Sequence, residues 1–526
     1  MFDRSQSRII IILGLLGFFC CFFSLPFLSS INAYDFKFPL KRNVALKAAD
    51  EFIASQGIFL EPSVKKAKIS SSRESIIYIQ RELGAEEASQ YRETLPLYYW
   101  QVDYSYRQGR EIILSRKNHF KILVDPISSN VIGFNRLIIP EEYKDAPILS
   151  KNESQALANN FFSSINFNIS DFRMTRYSSI EGKYIFEWKK DIPQLKTAKL
   201  KVKLEIFGDR VGNFQYSIDI PRKELWIVKV HNFIAIGLSL TLYALVFLFG
   251  LIVTIIAFFR RREVQWRFGL VFALLMAISF MVNFLKIGNY KGLSLALFLA
   301  TSVLTGIAIF LLTEISSSVS KLFSQDSKLD LFPVPIPYSI YISYIFFFSG
   351  MGFTMFFFII VVKAFNPIMT LGFDSFFSEF PVSRLSCLIA PLLSLSAAVS
   401  EEIFFRALMI SFMKKYFKNF FWPVLISTLI WSFMHVSPGD NSNIFPNFIQ
   451  GIVLLPIGFL FSYIFIRFGL VCAIITHFLH DLVVIGASCL AFSNFNYIKE
   501  NMATMLIAAI LPLLVAIYLS SKKTSA

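Results

Sequence analysis

The stretch SEEIFFRALM, residues 400–409, sets Glu401, Glu402 and Arg406 inside an apolar run that continues from Leu385 to Met413. Glu402 and Arg406 are four residues apart, one above the other on a helix, where opposite charges pair. Glu401 is turned by about 100° from Glu402 and has no such partner. Two later apolar segments carry polar groups of the same kind. FFWPVLISTLIWSFMH (420–435) ends with Trp431 and His435 four apart, and THFLHD (476–481) sets His477 four residues before Asp481, with His480 between them. A carboxylate without a counter-charge, close to imidazoles, can act as a general base. The same groups could instead relay protons in a transporter. Glu401, His435 and His477 also offer the nitrogen and oxygen donors that zinc accepts, although no HExxH spacing is present.

The elements that must position these residues belong in a membrane. Of 526 residues, 55% are hydrophobic, 60 are phenylalanine and only 17% are charged, a composition outside the range of soluble domains. The net charge of +15 would point to nucleic acid in a soluble protein, but beyond residue 226 the cations cluster at the ends of apolar runs. That is a topology signal, and no nucleic-acid partner is implied. All five cysteines lie in apolar runs and read as packing residues. Apolar segments at about 9–29, 233–259, 268–285, 293–313, 338–362, 385–413, 420–436, 448–466, 470–491 and 502–520 give about ten candidate transmembrane helices. If they alternate, Arg4, Arg8, Arg260–Arg262, Lys321, Lys328, Lys414, Lys415, Lys418, Arg467, Lys522 and Lys523 share one side, which is then cytoplasmic.

By helical rise, Glu401 is roughly 20 Å from Lys414 and roughly 24 Å from Leu385, close to mid-membrane. An ionisable group there costs at least ~2.5 kcal/mol. A structural ion pair accounts for Glu402 and Arg406; it leaves Glu401 unexplained. For His480 the plain role is a hydrogen bond to a neighbouring helix.

The fold expected is a polytopic α-helical membrane protein carrying an inserted α+β extracytoplasmic domain. Residues 1–30 read as a transmembrane anchor or signal segment, 31–225 as the exported domain, and 226–380 and 381–526 as transmembrane helices, the latter with the catalytic core. The exported domain contains a repeat. AADEFIASQGI (48–58) has helical apolar spacing and precedes the strand-like LYYWQVDYSY (97–106) and the hairpin pattern HFKILVDPISSNVIGF (119–134). ALANNFFSSINF (156–167), KYIFEWKK (183–190) and LKVKLEIFGDRVGNFQYSI (200–218) repeat that order. Two α-β-β-β units in this order resemble PepSY-type domains. The domain carries no nucleophile–base pair or metal spacing, so binding or folding is its expected role.

In the membrane segments, Glu401-Glu402-x-x-x-Arg406, an aromatic-x-x-x-His pattern from Trp431 to His435, and His477-x-x-x-Asp481 resemble the three ordered motifs of the type II CAAX prenyl protease and bacteriocin-processing (CPBP) family of intramembrane peptidases. The likeness covers about residues 385–490. The family more often has Phe at the position of Trp431 and Asn at that of Asp481. The resemblance implies an endopeptidase, glutamate-dependent or metallopeptidase, acting on a membrane protein or lipidated peptide in the cell membrane. It implies Glu401 as general base on a water shared with His435. His477 and Asp481 would then face the carbonyl oxygen, Glu402 and Arg406 support the helix, and Trp431 pack beneath His435. Asp481 would act either as a protonated donor or as an ionised group holding His477. No cofactor is certain; zinc on Glu401, His435 and His477 stays open. The competing classes are a non-catalytic scaffold or bacteriocin-immunity protein with the same buried cluster, and a proton-coupled transporter.

Overall fold

The computed structural model describes residues 4–29, 42–57, 64–91, 94–105, 119–136, 147–259, 266–280, 293–326, 329–369, 386–437, 444–492 and 498–524. The chain divides into two compact units, residues 32–230 with 368–379, and residues 1–31 with 231–367 and 380–526.

The first unit is built on one antiparallel sheet of eight strands. These are β1 (Val64–Ser71), β2 (Tyr98–Ser105), β3 (His119–Val124), β4 (Val131–Arg136), β5 (Arg173–Ile180), β6 (Lys183–Ile192), β7 (Leu195–Phe207) and β8 (Arg210–Asp219). Their order, β1-β2-β3-β4-β8-β7-β6-β5, is two four-stranded meanders joined back to back through β4 and β8. Each meander follows its own helix, Arg42–Ser55 or Lys151–Ser164. The second helix starts at a reciprocal capping box, in which Ser150 and Glu153 satisfy each other's backbone N–H groups.

The core forms where the two repeats meet. Phe134 of β4 and Phe214 of β8 are direct cross-strand partners. Phe52 packs edge-on to Phe134 at 5.0 Å, and Phe161 to Phe214 at 5.4 Å. Such aromatic contacts add to the burial of the rings themselves.

The repeat expected from the sequence is present with one more strand per unit. The outermost strands, VKKAKISS and RMTRYSSI, carry too many polar and basic residues to show an apolar alternation. Most of β5 is at least partly exposed, and lysine and arginine on an edge discourage pairing with other chains. The first repeat also holds two helices, Arg73–Leu83 and Ala85–Ser89, that the pattern did not announce.

The second unit is helical and belongs to a multi-pass membrane protein. The expected ten spans are corrected: among the described residues five helices are long and apolar enough to cross a bilayer. They lie at Arg222–Ile256, Ile336–Phe365, Phe448–Phe468, Leu470–Ala487 and Lys499–Lys522. Phe421–Met434 has only 14 residues, about 21 Å of helix against a hydrocarbon core of ~30 Å. The run 385–413 is not one α-helix. It passes from a 3₁₀ turn (Ser386–Leu388) to an α-helix (Ile389–Glu401), a π-helix (Glu402–Ile410) and a last α-turn (Ser411–Lys414). Part of the expected third span, residues 281–285, lies outside the described residues.

The helix Arg4–Ser29 crosses Ile336–Phe365 at glycines. A Cβ added to Gly352 would strike the backbone of Gly17, and one added to Gly17 would strike that of Ser349. Small residues permit such backbone contact between membrane helices. Gly237, in contrast, faces open space. Gly352→Leu should therefore lower the thermal unfolding temperature of the detergent-solubilised protein, by the equivalent of about 1–3 kcal/mol of overpacking, whereas Gly237→Leu should leave it nearly unchanged. Equal melting curves for the two variants would show that the glycine crossing is unimportant.

Candidate active site

The change from α- to π-helix falls between Glu401 and Glu402, so the two carboxylates sit on differently wound backbone. π-turns inside helices loosen the backbone ladder and recur at functional sites. A neighbouring helix compensates: Ser427 Oγ donates to the carbonyl oxygen of Phe405 within the π-segment, at 2.8 Å. Inside a membrane, backbone groups freed from a helix need such partners.

Glu402 and Arg406 form the expected pair, at 3.1 Å, and both side chains are fully buried. Glu402 does more than neutralise Arg406. Its Oε1 also lies 2.8 Å from His477 Nδ1, so one carboxylate oxygen joins the first motif to the third. The guanidinium of Arg406 lies against two rings, with its carbon 4.7 Å from the Trp431 centroid and 5.5 Å from that of Phe461. Its Nη2 donates to the Gly458 carbonyl oxygen at 3.4 Å. Planar, weakly hydrated guanidinium suits this stacked site better than lysine would.

Glu401 is not without a partner, contrary to the expectation from spacing. The indole N–H of Trp431 donates to its Oε2. Trp431 also packs against His435 as expected, with centroids 5.2 Å apart. It therefore holds both groups of the Glu401–His435 pair. The His435 ring is fixed from its other side, since Nδ1 lies 2.8 Å from the Trp431 carbonyl oxygen. With Nδ1 donating there, a neutral ring presents the lone pair of Nε2, which faces Glu401 Oε1 at 3.7 Å.

His477 lies deeper than the expected carbonyl-facing role requires. Its side chain is 3% exposed, against 22% for Glu401, 31% for His435 and 20% for Asp481. Nε2 is 3.3 Å from Asp481 Oδ2 and 3.9 Å from Glu401 Oε2. Both ring nitrogens thus face carboxylates, which accept only, so a ring with N–H on both sides satisfies the arrangement. Among the described residues His480 does not bond to another helix. Its Nδ1 is 3.2 Å from Oδ1 of its neighbour Asp481.

All seven candidate residues, Glu401, Glu402, Arg406, Trp431, His435, His477 and Asp481, are thereby brought into one cluster. Sequence reasoning missed Phe461 and Gly458. The Phe461 ring stacks on His477 at 4.4 Å and 21°. A Cβ at Gly458 would press on Thr428 at 2.8 Å and on the Trp431 ring at 2.9 Å. Gly458 and Ser462, four apart, make a small-residue face that signals close helix packing; nothing in the sequence says against which helix.

A zinc ion at ~2.0–2.1 Å from each ligand sets tetrahedral donors roughly 3.3 Å apart. The Glu401 to His435 and Glu401 to His477 separations, 3.7 and 3.9 Å, are wider. The donors are also committed elsewhere, Glu401 Oε2 to Trp431 and His477 Nε2 to Asp481. Among the described residues no group of three or more His, Cys, Asp or Glu converges on one point suited to a metal. As placed, the three candidate ligands do not fit zinc.

Residues 383–483 match the Rce1-like family, described as type II CAAX prenyl endopeptidase Rce1-like. The chain is also similar to the sporulation-killing factor biosynthesis protein SkfC of Bacillus subtilis (strain 168), 29% identical over 108 residues, 20% of each chain. The chain thus spans about a fifth of the length of that curated relative. No solved structure matches. The family match does not reach the eight-stranded sheet, and the PepSY-like resemblance gains no support from it. Over residues 383–483, where all three motifs fall, this chain is similar to the type II CAAX prenyl endopeptidase Rce1-like family.

Proposed function

We propose that the protein is an intramembrane endopeptidase that hydrolyses peptide bonds of membrane-associated substrates with a water activated by Glu401 and His435. The observation that carries this reading is the pair of facing acceptors, Glu401 Oε1 and His435 Nε2, held 3.7 Å apart on the more accessible side of the cluster. That gap is too wide for a direct hydrogen bond and suits one bridging water. A water donating one hydrogen to each acceptor turns its lone pairs outward, toward a substrate carbonyl. Glu401 takes the proton as the carbon–oxygen bond forms and delivers it to the amine nitrogen as the carbon–nitrogen bond breaks. Trp431 keeps the carboxylate oriented through its other oxygen.

His477, with the N–H groups of both nitrogens committed to Glu402 and Asp481, acts on the developing negative charge of the carbonyl oxygen through its fixed field and not by a direct hydrogen bond. Of the two roles open to Asp481, direct donation requires a free O–H. Both of its oxygens face imidazole nitrogens, Oδ2 toward His477 and Oδ1 toward His480, so we assign it the second role, holding His477. A proton-coupled transporter fits less well, because Trp431 and the Glu402 bridge fix these groups rather than leaving a path between them.

We further propose that residues 31–225 are extracytoplasmic, that the segment 1–30 is retained as a helix seated on Gly352, and that the substrate is a membrane protein or lipidated peptide. Cysteines introduced near residue 110 should react with a membrane-impermeant maleimide on intact cells or spheroplasts, and those near residue 325 or 417 only after lysis. The reverse labelling would place the sheet domain in the cytoplasm.

Glu401→Gln keeps the shape but cannot take the proton. Membrane fractions of cells carrying this variant should lack protein termini present with the wild-type protein, while the variant purifies folded; identical termini would end the peptidase reading. Glu402→Gln should act mainly on stability, by about 3–5 kcal/mol, because it leaves Arg406 buried without its counter-charge. Asp481→Asn should lower turnover by about tenfold or more at every pH, since His477 loses an ionic partner. Activity that is retained and extends to higher pH would restore direct donation by Asp481.

A further inference from the structure

The third motif contains a histidine that the proposed reaction does not use. His480 is buried, 6% exposed. Its Nδ1 is 3.2 Å from Asp481 Oδ1, while His477 Nε2 is 3.3 Å from Asp481 Oδ2. One carboxylate therefore joins two imidazoles, one through each oxygen. A carboxylate gripped at a single oxygen still turns about its broad terminal torsion; a second bond removes that freedom.

The other nitrogen, His480 Nε2, is buried without a hydrogen-bond partner among the described residues. This fixes the tautomer. Nothing at Nε2 competes for the proton, and Asp481 Oδ1 accepts only, so the N–H belongs on Nδ1. The orphaned nitrogen also makes His480 a poor choice for packing alone, because an apolar side chain of similar size would fill the space without burying an unsatisfied polar atom. Phe461 sets the spacing of the two imidazoles. Its face lies on His477 at 4.4 Å, and His480 stands at 6.1 Å and 87° to it.

We propose that His480 is a positioning residue: its Nδ1–H locks the Asp481 carboxylate so that the opposite oxygen stays on His477 Nε2. The proposal rests on the peptidase reading and adds a residue at a position that the third motif leaves unspecified. It predicts that removing the donor harms turnover while sparing both binding and the fold. His480→Leu removes both nitrogens. His480→Asn puts an amide N–H near the position of Nδ1 and has nothing at that of Nε2.

The test uses the full-length protein. Termini that depend on Glu401 are first identified by comparing membrane fractions of wild-type and Glu401→Gln cells. A peptide spanning one such site is then assayed with wild type, His480→Leu and His480→Asn in proteoliposomes. For His480→Leu, kcat should fall about tenfold or more while KM changes by less than about twofold. Its thermal stability should equal or exceed that of wild type, since the orphaned nitrogen is gone. His480→Asn should recover most of kcat. A histidine that mattered only for packing would lose stability and activity together, and Asn would not rescue it. His480→Leu with wild-type kcat, or His480→Asn as impaired as His480→Leu, would overturn the assignment of His480 alone. Termini unchanged by Glu401→Gln would instead overturn the peptidase reading, and the role of His480 with it.

Discussion

A fully buried arginine is the constraint on which this site depends. Arg406 has no exposed surface and lies in a helix of a membrane protein, where an uncompensated charge is costly. The charge is met in three ways at once: by the Glu402 carboxylate, by the faces of Trp431 and Phe461, and by the Gly458 carbonyl. The contacts come from the π-helix itself, from Phe421–Met434 and from Phe448–Phe468. Satisfying one guanidinium thus draws Phe421–Met434 and Phe448–Phe468 against the π-helix. Glu402 then brings in His477 and with it Leu470–Phe492.

The cluster has two layers as a result. Glu402, Arg406 and His477 are buried and hold one another, while Glu401, His435 and Asp481 keep a fifth to a third of their side-chain surface. In the proposed reaction the charges of the lower layer are fixed before substrate arrives, so no reorganisation would be needed when charge develops above them. Trp431 connects the layers. Its ring lies on Arg406, its N–H reaches Glu401, and its carbonyl oxygen holds His435. The indole supplies an N–H that a phenylalanine at this position could not. Gly458 makes this packing possible, because any side chain there would meet the indole.

The sheet domain follows a simpler rule. Two similar halves each leave the apolar face of a strand unpaired at one edge, and joining β4 to β8 buries both under the phenylalanines of two helices. The inner strands are also rich in charge, but in a strand such as β6 apolar and charged residues alternate between a buried and an exposed face, whereas β1 and β5 show no such regular alternation. That alternation explains why the inner strands were legible in the sequence and the outer ones were not.

The sequence alone determined the chemistry available and the solvent in which it sits. Charged residues inside apolar runs are expensive, so their presence at 401, 402, 406, 435, 477 and 481 marked the site without coordinates. Helical spacing of four was enough to pair Glu402 with Arg406 and to place Trp431 beside His435. Contacts between helices have no spacing in sequence, and these the tertiary structure decided: the indole on Glu401, the carboxylate shared by Arg406 and His477, the Phe461 ring under His477, and the two imidazoles on Asp481. Among the described residues, which helices are long enough to span was likewise decided there. Hydropathy counts apolar residues but not helical rise, and a segment of 14 residues or one broken by 3₁₀ and π turns is as apolar as a full span without being as long.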